Sequence, residues 1–197
     1  NYTEMSDAAK AQLFQQIKGY VREGLPTSEV IKLSERFSDP DIGRMALLHF
    51  YHEYRNHAAG IPLAEKMEAV PANANEAAEI DGDLLSWSGQ YEKAIGKYQL
   101  ANNPPTTLYK TSECQLKMKN IPAAVATLRE IEGFFVKDAS RAAYRISQIY
   151  RESGNKDQYI AALRHIMKKH PGSPESSNAH EELEALGLQT KGGEDSE

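Results

Sequence analysis

Residues 82–101 read GDLLSWSGQYEKAIGKYQLA and carry the clearest structural pattern in the chain. After Gly89, apolar side chains recur at intervals of three and four residues, at Tyr91, Ala94 and Tyr98. This spacing places them on one face of an α-helix. Glycine readily adopts the backbone of a tight turn, so Gly89 indicates a break between this helix and the segment before it. The stretch therefore predicts a helix that follows a turn.

Prolines recur with a regular period along the chain. Pro40, Pro71, Pro104 and Pro171 each follow an apolar segment with helical spacing, at separations of 31, 33 and 67 residues. Proline ends helices outside their first turn, so these positions indicate helix boundaries. The last separation is close to two periods. A period near 33 residues built from two helices is typical of a helical repeat protein.

The other segments show the same helical spacing, for example at Leu13, Phe14, Ile17 and Tyr20. No stretch alternates apolar and polar residues strictly enough to indicate a β-strand. Counting the segments gives about eleven helices. The sequence therefore predicts an all-α fold.

The stretch 82–101 resembles a tetratricopeptide repeat. That family has a small residue in the first helix and a glycine at the turn, followed by aromatic residues and alanines in the second helix. Residues 41–74 depart from the pattern because they lack the turn glycine, and residues 105–138 fit it only with a shorter turn. The matching positions of the first copy are Gly82, Gly89, Tyr91, Ala94, Tyr98 and Ala101, and those of a second copy are Ser147, Tyr150, Gly154, Leu163 and Pro171.

This resemblance implies a right-handed α-solenoid of about five helix-turn-helix pairs with a C-terminal capping helix. We expect a single domain over residues 1–187 and a disordered tail over residues 188–197. The predicted limits are 7–40, 41–74, 75–104, 105–138 and 139–172 for the pairs, and 174–186 for the capping helix.

Composition and charge exclude several classes of function. The 197 residues include 23 Lys and Arg against 28 Asp and Glu, which gives a net charge of −5 without a long basic block. A general binder of nucleic acid or of anionic membranes would normally present a basic face. No apolar run approaches the ~18–20 residues that span a bilayer. We therefore expect neither nucleic-acid binding nor direct insertion of this segment into a membrane.

The single cysteine, Cys114, excludes an internal disulfide and a CxxC redox pair. No base stands in helical register with it, so we expect a small packed side chain rather than a nucleophile. The phrase HPGSP at residues 170–174 is similar to the joint between repeats in bacterial members of the family, which favours a bacterial protein. The sequence starts at Asn1 rather than Met, which is compatible with a removed signal peptide or anchor. An exported location is slightly favoured over a cytoplasmic one, and the compartment stays open.

His49, His52, Glu53 and His57 form the strongest candidate for a metal or catalytic site. Three of them stand four residues apart and share one helix face, where imidazole and carboxylate groups could hold Zn²⁺ or Ni²⁺. Their order, HxxHE, differs from the HExxH and HxxEH orders of zinc hydrolases. We therefore expect no catalytic residue, no metal and no cofactor. A metal-binding or enzymatic protein that uses this cluster is the alternative hypothesis.

In tetratricopeptide proteins the first helix of each pair lines a concave groove, so the resemblance implies where a partner binds. Lys and Arg side chains on neighbouring helices can hold carboxylates through charge-assisted hydrogen bonds. We predict a non-catalytic adaptor or scaffold that binds a peptide or protein segment in this groove, acidic or C-terminal in character. Self-association of the chain stays open. The predicted groove residues are His52, Arg55, Lys110, Lys117, Arg141, Tyr144, Gln148 and Arg151.

Overall fold

The computed structural model of the chain describes residues 1–37 and 39–188. Within these residues the regular secondary structure is helical and includes no strand, which confirms the predicted all-α fold. A short 3-10 helix over Tyr2–Glu4 comes before the α-helices. The described part contains α1 (Asp7–Arg22), α2 (Thr27–Ser34), α3 (Pro40–Glu53), α4 (His57–Glu68), α5 (Ala74–Trp87), α6 (Tyr91–Ala101), α7 (Thr106–Lys117), α8 (Ile121–Phe134), α9 (Ala139–Glu152), α10 (Lys156–Lys169) and α11 (Pro174–Ala185).

Four of the helix-to-helix turns share one construction. A residue with left-handed backbone follows the first helix, and the next residue is the N-cap of the second helix. At positions 56, 120 and 155 this N-cap is an asparagine whose side chain accepts a hydrogen bond from a backbone N–H three residues further on. The left-handed residues are Arg55, Gly89, Lys119 and Gly154, with φ of 52°, 84°, 62° and 76°.

Two of these left-handed residues, Arg55 and Lys119, belong to the pairs that lack the turn glycine in the sequence. Glycine adopts positive φ without steric cost, whereas a residue with a Cβ is strained there. The pairs that depart from the glycine pattern therefore keep the same turn, at the cost of a strained residue.

Gly82 on α5 lies directly against the ring of Tyr98 on α6. A Cβ atom at position 82 would lie 2.5 Å from Cε1 of Tyr98, which is closer than such atoms pack. The ring itself is only 3% exposed. The small residue on the first helix therefore makes room for the aromatic residue on the second, as the sequence pattern of this pair indicates.

Residues Asn1–Cys114 form one compact unit. Within it, α3 packs against α1, α2, α4 and α5, and α5 packs in addition against α6. Burial of each large aliphatic side chain stabilises the unit by roughly 1.5–3 kcal/mol relative to its exposed state. The fully buried or nearly buried side chains include Ile17, Val30, Met45, Leu47, Leu48, Leu63, Met67, Ile80 and Leu84.

Residues Gln115–Glu197 form a second compact unit, described here as far as residue 188. Within it, α9 packs against α8, α10 and α11, and α10 packs against α11 as well. The last helix turns Ala179 and Leu183 into the core, and both side chains are fully buried. The other large buried side chains of this unit include Leu128, Ile131, Ile146, Ile149, Leu163 and Ile166.

Some sequence-based expectations stay predictions. These are the limits of the five pairs and of the capping helix, and the single domain over residues 1–187. The predicted disordered tail, residues 188–197, lies outside the described residues from position 189 onward. None of the helices in the described ranges has both the length and the apolar character needed to span a bilayer.

Candidate interaction surface

In the first unit, three of the predicted site residues surround Asp83 and Trp87 on α5. His52 Nε2 lies 2.8 Å from Oδ2 of Asp83, and Lys110 Nζ donates to the same oxygen at 3.0 Å. Burial raises the pKa of Asp83, but the hydrogen bonds from His52 and Lys110 outweigh that effect and hold the pKa below its ordinary value. The structure therefore brings His52 and Lys110 together around a buried carboxylate.

The positive charge of Lys110 is matched within the first unit. Its Nζ lies 2.9 Å from Oε1 of Glu79 and 2.9 Å from Oδ1 of Asp83. Burial lowers the pKa of Lys110, but these two carboxylates outweigh it and raise the pKa above the ordinary value. Lys110 therefore links α7 to α5, since both of its partners lie on α5.

Arg55, the third residue of this group, lies over the indole ring of Trp87. Its Cζ atom is 4.5 Å from the ring centroid, and the His52 ring stacks on the same indole at 5.0 Å. Trp87 is the only tryptophan of the chain, and the residue is 40% exposed. Its contacts with Arg55 and His52 join residues 32 to 35 positions apart, so no local pattern indicates them.

In the second unit, the predicted residues Tyr144 and Gln148 on α9 hold the carboxylate of Glu182 on α11. The Tyr144 hydroxyl donates to Oε1 of Glu182 at 2.5 Å, and Gln148 Nε2 donates to the same oxygen at 3.2 Å. The hydroxyl of Tyr159 on α10 donates to the other oxygen, Oε2. One carboxylate therefore receives hydrogen bonds from three side chains on two helices.

These contacts change the acidity of the groups involved. Burial raises the pKa of Glu182, but the hydrogen bonds from Tyr144 and Tyr159 outweigh it, and the pKa lies below its ordinary value. Arg151 contributes to this lowering through its charge. Burial and the nearby carboxylate raise the pKa values of Tyr144 and Tyr159 to about 12. Glu182 is therefore ionised, and both hydroxyls keep their protons near neutral pH.

The remaining predicted residues are exposed cations of the second unit. Arg151 follows Gln148 by one helical turn, and its Nη1 donates to the Gln148 Oε1 atom at 3.4 Å. Arg141 lies in the first turn of α9 and pairs with Asp138 at 2.6 Å. Lys117 is exposed in the last turn of α7. Arg151 thus extends the polar face of α9 beyond Tyr144 and Gln148.

The four residues of the alternative metal hypothesis do not converge. His49 Nε2 lies 2.7 Å from Glu76, whereas His52 is bonded to Asp83. Glu53 and His57 are exposed. Each of the two histidines therefore has its own carboxylate on α5. Cys114 is 2% exposed, and burial raises the pKa of its thiol, as fits a packed side chain.

Comparisons with known proteins agree with this architecture. Residues 141–173 match the tetratricopeptide repeat family. A Podospora anserina protein described as a kinesin light chain with nearly identical TPR-like repeats superimposes with a TM-score of 0.56 at 14% identity, covering 83% of this chain and 97% of that one. A single-substitution variant of that protein superimposes with a TM-score of 0.56 at 14% identity, covering 86% of this chain and 100% of that one. MamA of AMB-1 superimposes with a TM-score of 0.54 at 15% identity, covering 88% of this chain and 98% of that one. No curated protein matches the sequence significantly.

The chain thus has a tetratricopeptide-like helical repeat fold of the α-solenoid class, and residues 141–173 match the pattern of one such repeat. Repeats of this kind cannot bury their apolar faces alone, so they stack and leave extended surfaces that bind other proteins. A protein-interaction module is the general function that this class supports.

Proposed function

We propose that this protein is a non-catalytic interaction module that binds an acidic segment of another protein. In the second unit, the binding face is the α9 face, which we define as Tyr144, Gln148, Arg151 and Arg141 of α9 together with the predicted cation Lys117 at the end of α7. In the first unit, the corresponding residues are His52, Arg55 and Lys110. The partner segment carries Asp or Glu side chains or a free C-terminal carboxylate.

The observation that carries this proposal is the carboxylate of Glu182. Tyr144 and Gln148 hold it by hydrogen bonds, and the charge of Arg151 favours its ionised form. Hydrogen bonds to a charged group contribute more than those between neutral groups, about 1.5–3 kcal/mol each. The α9 face therefore has the donors and the charge that recognise a carboxylate. Arg151 remains exposed for a second one.

The first unit adds support of another kind. Arg55 and Trp87 are both exposed and lie against each other. Tryptophan and arginine are enriched among the residues that contribute most to protein interfaces. A stacked cation also attracts acidic side chains, while the indole offers apolar contact area. Lys110 acts here mainly through Asp83, which it holds in place beside His52.

The test is a binding titration with a labelled acidic peptide that ends in a free carboxylate. A double variant, Lys117→Glu with Arg151→Glu, reverses the charge of two exposed predicted site residues of the second unit. Loss of one desolvated basic contact costs about 1–3 kcal/mol. We therefore expect the double variant to bind the peptide at least about tenfold more weakly.

The control is a charge-matched double variant, Lys156→Glu with Arg164→Glu, which reverses two exposed cations on α10. It changes the net charge equally and leaves the α9 face intact, so its affinity should stay close to that of the unaltered protein. Equal affinities for all three proteins would overturn the assignment of the α9 face.

A further inference from the structure

We propose that Glu132, His165 and His170 form a zinc-binding site in the second unit. Glu132 lies on α8, His165 lies on α10, and His170 follows the last residue of α10. The site is separate from the α9 face. It goes beyond the proposed interaction function and does not depend on it.

Two imidazoles converge on one carboxylate oxygen at this site. His165 Nε2 lies 2.6 Å from Oε1 of Glu132, and His170 Nε2 lies 2.8 Å from the same atom. One ligand atom from each of the three residues lies within 4.8 Å of the other two. Among the described residues, no other group of three His, Cys, Asp or Glu side chains meets this condition.

The surrounding contacts hold the ligands in position. Arg129 Nη1 bonds to Oε2 of Glu132 at 3.1 Å, which leaves Oε1 to the two imidazoles. The backbone N–H of His170 donates to Ile166 at 2.8 Å, and the Ser173 hydroxyl donates to the His170 carbonyl at 2.8 Å. The Arg129 contact orients the ligand carboxylate, as outer-shell partners do at protein metal sites. The other two bonds fix the backbone that carries His170.

The donor set matches the chemistry of zinc. Zn²⁺ binds imidazole nitrogen and carboxylate oxygen at about 2.0–2.2 Å, and two His with one Glu are a known combination of three protein ligands. In a tetrahedron of that size, neighbouring ligand atoms lie about 3.3 Å apart. The present 2.6 and 2.8 Å separations need to open by only about half an ångström. The side chains are 13–33% exposed, so the ion can enter.

A zinc ion here would lie between Oε1 of Glu132 and the Nε2 atoms of His165 and His170, and would replace the hydrogen bonds that now join them. It would connect α8 to the end of α10, across 33 and 38 positions of sequence. With three protein ligands, the fourth coordination position holds water in the isolated chain. We expect binding to stabilise the folded second unit, because the unfolded chain does not present the three ligands together.

The experiment is a calorimetric titration of ZnCl₂ into the full chain, prepared without a histidine tag and stripped of metal. We expect one zinc ion per chain and a melting temperature that rises with added zinc. His165→Gln and His170→Gln should each weaken binding at least about tenfold. Co²⁺ offers a second readout, since tetrahedral coordination gives visible absorption that the two variants should lose.

His180→Gln is the matched control, because His180 forms a single imidazole–carboxylate pair with Glu184 in the same unit. It should bind zinc like the unaltered protein. Glu132→Gln can still accept hydrogen bonds from both imidazoles, so a folded variant with a weakened site is available if a histidine variant unfolds. The proposal is overturned if the unaltered protein binds no zinc. It is equally overturned if the folded Glu132 and histidine variants bind zinc as tightly as the unaltered protein does.

Discussion

At the scale of single residues, the close approach of Gly82 and Tyr98 shows how one pair of positions fixes the distance between two helices. The Tyr98 ring fills the space left by the missing Cβ of Gly82, and its hydroxyl donates to Asp83 at 2.8 Å. Asp83 in turn meets His52 and Lys110. Packing inside one pair is thereby coupled to the polar contacts with neighbouring helices.

We therefore predict that Tyr98→Ala strongly destabilises the first unit. Truncation of a buried aromatic side chain typically costs about 3–5 kcal/mol, and here Asp83 also loses a hydrogen bond. Leu100→Ala on the same helix is the control, because Leu100 is 62% exposed and should cost little. Chemical denaturation measures both. A Tyr98→Ala protein as stable as the Leu100→Ala protein would contradict this packing.

A second residue-scale feature is the buried carboxylate of Asp81, which is 0% exposed. Glu68 lies beside it, and Lys97 Nζ lies 2.7 Å from Glu68 and 3.3 Å from Asp81. Burial and the neighbouring Glu68 raise the pKa of Asp81 from 3.8 to about 7, against the opposing effect of Lys97. The folded chain therefore keeps a proton on Asp81 in a pH range where the unfolded chain has lost it.

This shift predicts a pH dependence of stability with a definite sign. Between about pH 4 and pH 7 the folded state binds more protons at Asp81 than the unfolded state. The contribution of Asp81 to the free energy of unfolding therefore falls as the pH rises through this range, and it is constant above it. Asp81→Asn removes this contribution. The difference between the free energies of unfolding of the unaltered protein and the variant, measured by denaturation at each pH, therefore isolates it. A difference that does not vary between pH 4 and pH 7 would refute the assignment.

At the scale of elements, the turns show which features of the fold could be predicted from local sequence signals. Helical spacing and turn glycines are local signals, so the helix pairs around Gly89 and Gly154 could be predicted. The turns at Arg55 and Lys119 use the same left-handed backbone without a glycine, so the glycine signal does not mark them, although the predicted pairs 41–74 and 105–138 contain them. The contacts of Tyr144 and Gln148 with Glu182 were also missed, because they join positions 34 and 38 residues apart. Glu132, His165 and His170 were missed for the same reason.

The strained turn between α7 and α8 gives a prediction at this scale. Lys119 has a φ of 62°, where glycine is favoured over residues with a Cβ. We expect Lys119→Gly to stabilise the protein by about 0.5–1 kcal/mol, as measured by denaturation. Met118→Gly is the control, because position 118 lacks positive φ and the added backbone freedom should destabilise the protein. A loss of stability in Lys119→Gly as large as that in Met118→Gly would argue against a strained turn.

At the scale of the whole molecule, net charge and local charge differ in sign. The chain carries a net charge of −5, yet the predicted site residues include five Lys and Arg side chains. General repulsion of acidic partners is screened by salt over about 8 Å at physiological ionic strength, whereas hydrogen-bonded contacts at short range are screened less. In the proposed function, recognition of an acidic segment therefore depends on where these cations lie. The net charge excludes only partners that need a basic protein.

The most direct test of the proposed function compares two labelled peptides binding to the unaltered protein. The first is rich in Asp and Glu and ends in a free carboxylate. The second has Asn and Gln at the same positions and an amidated end. We predict at least about tenfold tighter binding of the acidic peptide, because only carboxylates can use the cations of the α9 face. Equal affinities for the two peptides, or no binding of the acidic one, would contradict the account.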